Sequence, residues 1–110
     1  MPQPDADPDR LFRAPLIATA AVIAGATFLA FLPAFSAGFV NLDDLDLIPN
    51  NPQFRGLSPH HLQWMLTTTL LGHYQPLTWL SFAIDHAIAG LDPRQFHLTS
   101  VLLHAANTGL

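Results

Sequence analysis

Cysteine, lysine and glutamate are all missing from these 110 residues. Without cysteine there is no disulfide, no thiol nucleophile and no thiolate ligand for a metal. Without lysine, and with only four arginines, no basic cluster exists to meet a phosphate backbone. The formal net charge of −4 points the same way and argues against a nucleic-acid surface. Charged residues make up 11% of the chain. A well-hydrated small soluble surface carries roughly 25–35%.

What the chain has instead is a long uncharged run. Residues 14–35 (APLIATAAVIAGATFLAFLPAF) are 22 in number and carry no charge. A bilayer-spanning helix needs about 20 predominantly apolar residues, so this segment reads as a first transmembrane helix. Gly25 and the surrounding Ala and Thr residues are small enough to admit a second helix closely. Residues 1–13 are polar and rich in Pro and Asp, and are expected to be a disordered tail. Arg10 and Arg13 precede the span, and the next basic residue is Arg55. The positive-inside tendency then keeps the tail in the cytoplasm and puts Asp43 and Asp44 on the far side. A cleaved signal peptide is the competing reading, with Ala34 and Ser36 as small residues before a cleavage point. The run is longer than a signal core and the tail before it is not net positive, which favours a span.

Residues 36–92 read as a first external loop with interfacial helices. Turn signals stand at Gly38, at Pro49-Asn50-Asn51-Pro52 and at Gly56. Ser58-Pro59 looks like an N-cap followed by a first helical residue, opening a helix over 60–71. Gly72-His73-Tyr74-Gln75 breaks it. Pro76 opens another helix that runs to Ala89 and stops at Gly90. Thr78, Ser81 and Asp85 form one polar stripe on that helix, as on a rod lying along a membrane surface. Asp92-Pro93 starts a last helix, and 93–110 is expected to be the beginning of a second transmembrane span. His97, Ser100, His104 and Asn107 share one face of it. The first helix offers only threonines to that face, so its partners are expected on further helices. The chain stops inside an apolar run, which reads as an N-terminal fragment of a longer membrane protein. A deliberately short protein, its last helix lying against its first, is the alternative.

Two blocks of residues then carry a resemblance. Phe39-Val40-Asn41-Leu42-Asp43-Asp44, followed by Ile48 and Asn51-Pro52, resembles the start of the first external loop in multi-spanning glycosyltransferases of the type C fold. Tyr74-Gln75-Pro76-Leu77-Thr78-Trp79-Leu80-Ser81, then Gly90-Leu91-Asp92-Pro93, Phe96-His97 and Leu102-Leu103-His104, is similar to bacterial membrane proteins with C-terminal tetratricopeptide repeats. Those in turn resemble the animal transmembrane and tetratricopeptide-containing O-mannosyltransferases. The resemblance runs from about Phe39 to the end. It implies an all-α membrane protein of the bacterial inner membrane that spans it several times. It also implies a polyprenyl-phosphate sugar as donor and a protein hydroxyl on the external side as acceptor. Asp43 would be the general base, and Asp44 would hold the acceptor or orient its neighbour. Later spans build the donor pocket in such proteins, so this segment alone is expected to be inactive.

The carboxylate pair has a logic of its own. Transfer of a sugar to a hydroxyl needs a base to take the acceptor proton, and a carboxylate beside an apolar surface is a stronger base for being partly desolvated. The bland alternative is a solvated loop edge, or a cap for a short helix starting near Leu45. Asp44-Leu45-Asp46 spells Asp-x-Asp, and carboxylates suit Mg or Mn. No nucleotide-binding sheet surrounds it, so no metal and no cofactor is assigned. His60 and His61 are adjacent and point to different sides of a helix. His97 and His104 lie roughly 10 Å apart along a helix axis, too far to share an ion. They could contact a lipid phosphate instead. Arg55 and Arg94 could neutralise that phosphate or snorkel to water. Trp64, Trp79 and Tyr74 suit the headgroup zone as anchors. A non-catalytic membrane module that anchors or assembles a partner stays open as a second class of function, its polar faces serving as oligomer interfaces.

Overall fold

A proline at a first helical position loses nothing, because its missing N–H would have no intrahelical acceptor. Three of the five α-helices here use that device at the sites the sequence marks. In the computed structural model, which describes residues 1 and 8–110, the helices are α1 (Pro8–Ala30), α2 (Asp43–Leu47), α3 (Pro59–Thr67), α4 (Pro76–Ala89) and α5 (Pro93–Gly109). Short 3-10 turns occupy Leu32–Ser36 and Leu70–Gly72. There is no strand among the described residues; the chain is all-α.

α1 begins ahead of its expected start at residue 14. Pro8 opens it, Asp9 sits in its first turn, and the Arg13 guanidinium lies 3.6 Å from the Asp9 carboxylate at i,i+4 spacing. Residues 8–13 are therefore helix rather than tail; residues 2–7 of the expected tail lie outside the described residues. Pro15 falls inside α1, where Thr19 returns a hydroxyl hydrogen bond to its carbonyl at 2.8 Å. The 23 residues of α1 make a rod of about 35 Å. With the turn that follows, Asp9–Ser36 is long and apolar enough to cross a membrane.

The chain divides into two compact units, one of Met1–Leu32 with Val101–Leu110 and one of Pro33–Ser100. In the first, Ala20, Ala24, Thr27 and Phe28 form the part-covered face of α1, at i, i+4, i+7 and i+8. The last turns of α5 lie on that face, with Val101 and Ala105 buried. A Cβ on Gly109 would stand 3.0 Å from the Ala20 carbonyl oxygen and 3.3 Å from the Ala24 Cβ. Thr108 donates to the Thr27 hydroxyl at 3.0 Å, and Phe31 meets His104 edge-on at 5.0 Å. The close approach expected along the small residues of α1 is thus met at Ala20, Ala24 and Thr27, while a Cβ on Gly25 itself would touch nothing. The rest of α1 is bare, and Leu16, Ile17, Val22 and Leu29 are each more than 60% exposed. The contact is testable. A Thr27→Cys/Thr108→Cys pair is expected to oxidise to a disulfide in the otherwise unchanged chain. Adding Gly109→Leu is expected to abolish that crosslink on gels, because the helices must separate beyond the 3.5–4.5 Å Cβ spacing, approximately, that a disulfide demands.

The second unit packs around aromatics. Ile48, Phe54, Met65, Trp79, Ala83 and Phe96 are buried together, with Phe39, Leu47, Trp64, Leu70, Leu80 and Phe82 closing over them. Trp79 lies against Trp64 at 4.9 Å, Phe82 at 5.9 Å and Phe54 at 6.5 Å between ring centroids. Phe96 of α5 reaches Phe82 at 5.5 Å and Phe39 at 5.7 Å. Trp79 is 0% exposed, so it is the centre of this core and not an interfacial anchor. Its place on the α4 face shared with Ala83 and turned to α3 decides that. Tyr74, by contrast, is 62% exposed.

α4 has the expected bounds and ends on Gly90, whose φ of 64° is open to glycine at no steric cost. α3 ends at Thr67, short of the expected Leu71. Three consecutive β-branched threonines follow Leu66 and resist the helix, and Thr67 turns its hydroxyl back to the Gln63 carbonyl at 2.8 Å. The chain then needs a left-handed backbone at Leu71 as well as Gly72.

Candidate functional site

The acidic pair opens a helix of its own. Asp43, Asp44 and Asp46 all fall in α2, where carboxylates near the N-terminus face the positive end of the helix dipole. Asp43 and Asp46 are exposed and Asp44 is half-buried. The Asp44 carboxylate accepts the Val40 backbone N–H at 3.1 Å, which folds 40–44 into a tight entry. Asp43 is left facing solvent beside it. The two carboxylates therefore differ in kind: one is committed to backbone, the other is available to a ligand.

Five residues cannot hold a helix in water by themselves. The polar residues that follow brace α2. Asn51 is 6% exposed; its amide donates to the Leu47 carbonyl at 3.4 Å, and its Oδ1 accepts the Gln53 N–H at 3.0 Å. Arg55 donates from Nη2 to the Pro49 carbonyl at 2.5 Å and to the Ile48 carbonyl at 3.4 Å. Ile48 and Phe54 anchor the same loop in the core. One arginine expected near a phosphate thus braces the loop that carries the acidic pair. Asn51 was legible as a turn signal and as part of the loop motif that carries the resemblance, but its brace role had no sequence signature.

Next along, Ser58 gives no N-cap bond to α3. Its hydroxyl pairs with His61 Nδ1 at 2.6 Å, and the His61 ring lies over Gly56, where a Cβ would come within 2.8 Å. The His60 ring meets the His61 ring edge-on at 5.8 Å and, with Gln63, Trp64 and Thr67, lines an open depression of about 250 Å³.

A second polar cluster joins α4 to α5. Asp85 is 2% exposed. Its Oδ1 accepts the Gln95 amide at 3.1 Å and the Thr99 hydroxyl at 2.5 Å, while Oδ2 is buried with no hydrogen-bond partner. The polar stripe of α4 therefore faces α5 at Asp85. Burying a carboxylate is costly unless donors compensate it. Asp85→Asn keeps an acceptor for Gln95 and Thr99 and removes the buried charge. It is expected to leave thermal stability within about 1 kcal/mol of the parent, whereas Asp85→Leu strands both donors and costs roughly 2–3 kcal/mol. Thermal unfolding of the detergent-solubilised variants checks the difference.

The remaining candidates are dispersed. Arg94 is exposed in the first turn of α5, beyond Asp92, whose Oδ1 accepts the Arg94 N–H at 3.0 Å. His97 is half-buried, with Nε2 lacking a partner. His104 is exposed and belongs to the other unit. Among the described residues no hydrogen bond or ion pair joins Asp43 or Asp44 to Arg55, Arg94 or His97. None of the described residues forms a group of three or more metal-ligating side chains.

No family model matches the chain, and no solved structure matches it significantly. Curated relatives do. Protein O-mannosyl-transferase TMTC1 of Mus musculus is 33% identical over 100 residues, covering 81% of this chain and 10% of that protein. Protein O-mannosyl-transferase TMTC2 of Mus musculus is 56% identical over 48 residues, 38% of this chain and 6% of the relative. Protein O-mannosyl-transferase TMTC4 of Homo sapiens is 30% identical over 93 residues, 76% of this chain and 12% of the relative. The chain spans 6% to 12% of the length of these relatives. Over most of its own length, it is similar in sequence to protein O-mannosyl-transferases.

Proposed function

We propose that this chain supplies the acidic first loop of a membrane glycosyltransferase. The enzyme moves a sugar from a polyprenyl-phosphate donor to a protein hydroxyl on the external face of a bacterial cell membrane. The observation that carries the reading is the similarity to a protein O-mannosyl-transferase over 81% of the chain. The bare apolar length of Asp9–Ser36 supports a membrane setting, with the tail cytoplasmic and α2 outside.

Asp43 is the proposed base. Its exposure at the start of α2 supports that role, and the commitment of Asp44 to Val40 supports a positioning role for its neighbour. In the proposed step the Asp43 carboxylate takes the acceptor hydroxyl proton as the oxygen attacks the anomeric carbon. The bond from that carbon to the phosphate oxygen breaks, and the lipid phosphate leaves with the electron pair. No metal or cofactor is assigned to this step. Arg94, His97 and His104 are proposed contacts for the donor phosphate: Arg94 and His104 are exposed, and His97 holds a partnerless Nε2. Arg55 contributes to the Asp43 loop by bracing it.

Deleting the complete gene and comparing glycopeptides from the cell envelope tests the reading. Loss of hexose-bearing peptides, restored by the intact gene, is the expected result. An unchanged glycan profile would favour the anchoring module instead. Since the chain has no cysteine, Asn41→Cys gives a clean companion measurement: a membrane-impermeant maleimide is expected to label it in intact cells.

A further inference from the structure

The geometry points to a carbohydrate subsite on the outer face of α3, built by His60, Gln63, Trp64 and Thr67. These four residues stand at i, i+3, i+4 and i+7, one face of the helix, and they line a single open depression of about 250 Å³. Pockets for drug-sized ligands run from roughly 300 Å³ upward, so this one admits a single pyranose ring and little more.

Its chemistry suits that ligand. The Trp64 indole is one wall, half-buried and held from behind by Trp79 at 4.9 Å with the planes at 61°. A ring fixed in this way loses little freedom when something stacks on it. Its electron-rich face attracts the polarised C–H edges of a sugar. Around it stand a neutral amide at Gln63, an imidazole at His60 and the Thr67 hydroxyl, which spends its proton on the Gln63 carbonyl and keeps its lone pairs to accept. Those groups offer both donors and acceptors, as vicinal hydroxyls require. No Arg, Asp or other fixed charge lines the depression, which disfavours a phosphate or a carboxylate as the main contact. Its shallow, open form disfavours an acyl chain, which needs an enclosed apolar slot. A neutral polyol ring is the ligand that this combination recognises best.

The choice of a hexose as first probe rests on the glycosyl-transfer reading; the geometry of the subsite does not. The test uses the full chain in phosphatidylcholine nanodiscs, with methyl α-mannoside as probe and saturation-transfer NMR as readout. Saturation on the pyranose ring protons is expected. Gln63→Ala, at an exposed position that leaves the core intact, is expected to weaken the signal. Trp64→Leu is expected to weaken it about fivefold, the worth of one aromatic contact. Two Trp residues make the optical companion simple: in a Trp79→Phe background, the probe is expected to quench Trp64. No ring-proton saturation in the unchanged chain, or saturation in both variants undiminished from that of the unchanged chain, overturns the subsite. So does quenching of Trp64 by brominated lipid in place of the glycoside, which would make the face a headgroup contact. Complete enzyme that transfers sugar while the chain shows no glycoside contact removes the subsite alone. Glycoside contact in the chain with no transfer by the complete enzyme removes the transferase reading alone.

Discussion

Asp43→Asn in the complete protein is expected to lower sugar transfer by roughly 10²–10⁴-fold, the usual worth of a positioned general base. The substitution keeps size and shape and removes only basicity. Asp43 is exposed and bonded to nothing in its loop, so insertion into the membrane and thermal stability are expected to stay unchanged. Asp44→Asn provides the contrast. Its amide can still present an oxygen to the Val40 N–H, so the fold of the entry survives and transfer falls less. Transfer measured on membranes with a synthetic polyprenyl-phosphate hexose and a serine-rich peptide separates the two. Equal loss in both variants would mean that the pair acts as one charged patch; normal turnover in Asp43→Asn would remove it from the chemistry.

The second large effect is structural. Trp79→Ala is expected to cost about 3–5 kcal/mol, the range for truncating a buried aromatic. Domains of ordinary stability hold only about 5–15 kcal/mol in all, so the Pro33–Ser100 unit would be left marginal. The reason lies in the packing: Trp79 touches Phe54, Trp64 and Phe82 at once, and no neighbour can move in to refill the space without leaving its own. Tyr74→Ala, at an exposed site, is expected to change stability by less than about 0.5 kcal/mol. Thermal melts in detergent, followed by circular dichroism, compare them. If the two losses were alike, the aromatic cluster would not be the centre of the unit.

How far could residues alone have led here? The helix starts at Pro59, Pro76 and Pro93 and the stop at Gly90 were open to view, because proline and glycine act through local backbone sterics that need no tertiary context. The acidic pair could be sorted into roles only through the resemblance; which carboxylate is committed to backbone depends on the turn that brings the Val40 N–H round to Asp44. The place of Trp79 was not legible because an indole suits a headgroup zone and a core equally well, and its ring partners Phe54 and Trp64 lie far away in sequence. The small residues of α1 showed that a helix could approach, but not at which of them. A small residue permits an approach without specifying one, and the partner that arrives lies at the other end of the chain, opposite Ala20 and Ala24. Asp85 showed as a stripe on one helix, while the donors it requires come from Gln95 and Thr99 on the next.

The brace formed by Asn51 and Arg55 carries a practical lesson for any genetic screen. A random library sorted for lost glycosylation should return hits at these two codons as well as at codon 43, although neither side chain need meet sugar or lipid. On the proposed mechanism such hits would differ in one respect from a base mutant at codon 43: second-site revertants that stiffen the loop by other means could rescue them, whereas codon 43 would need its carboxylate restored.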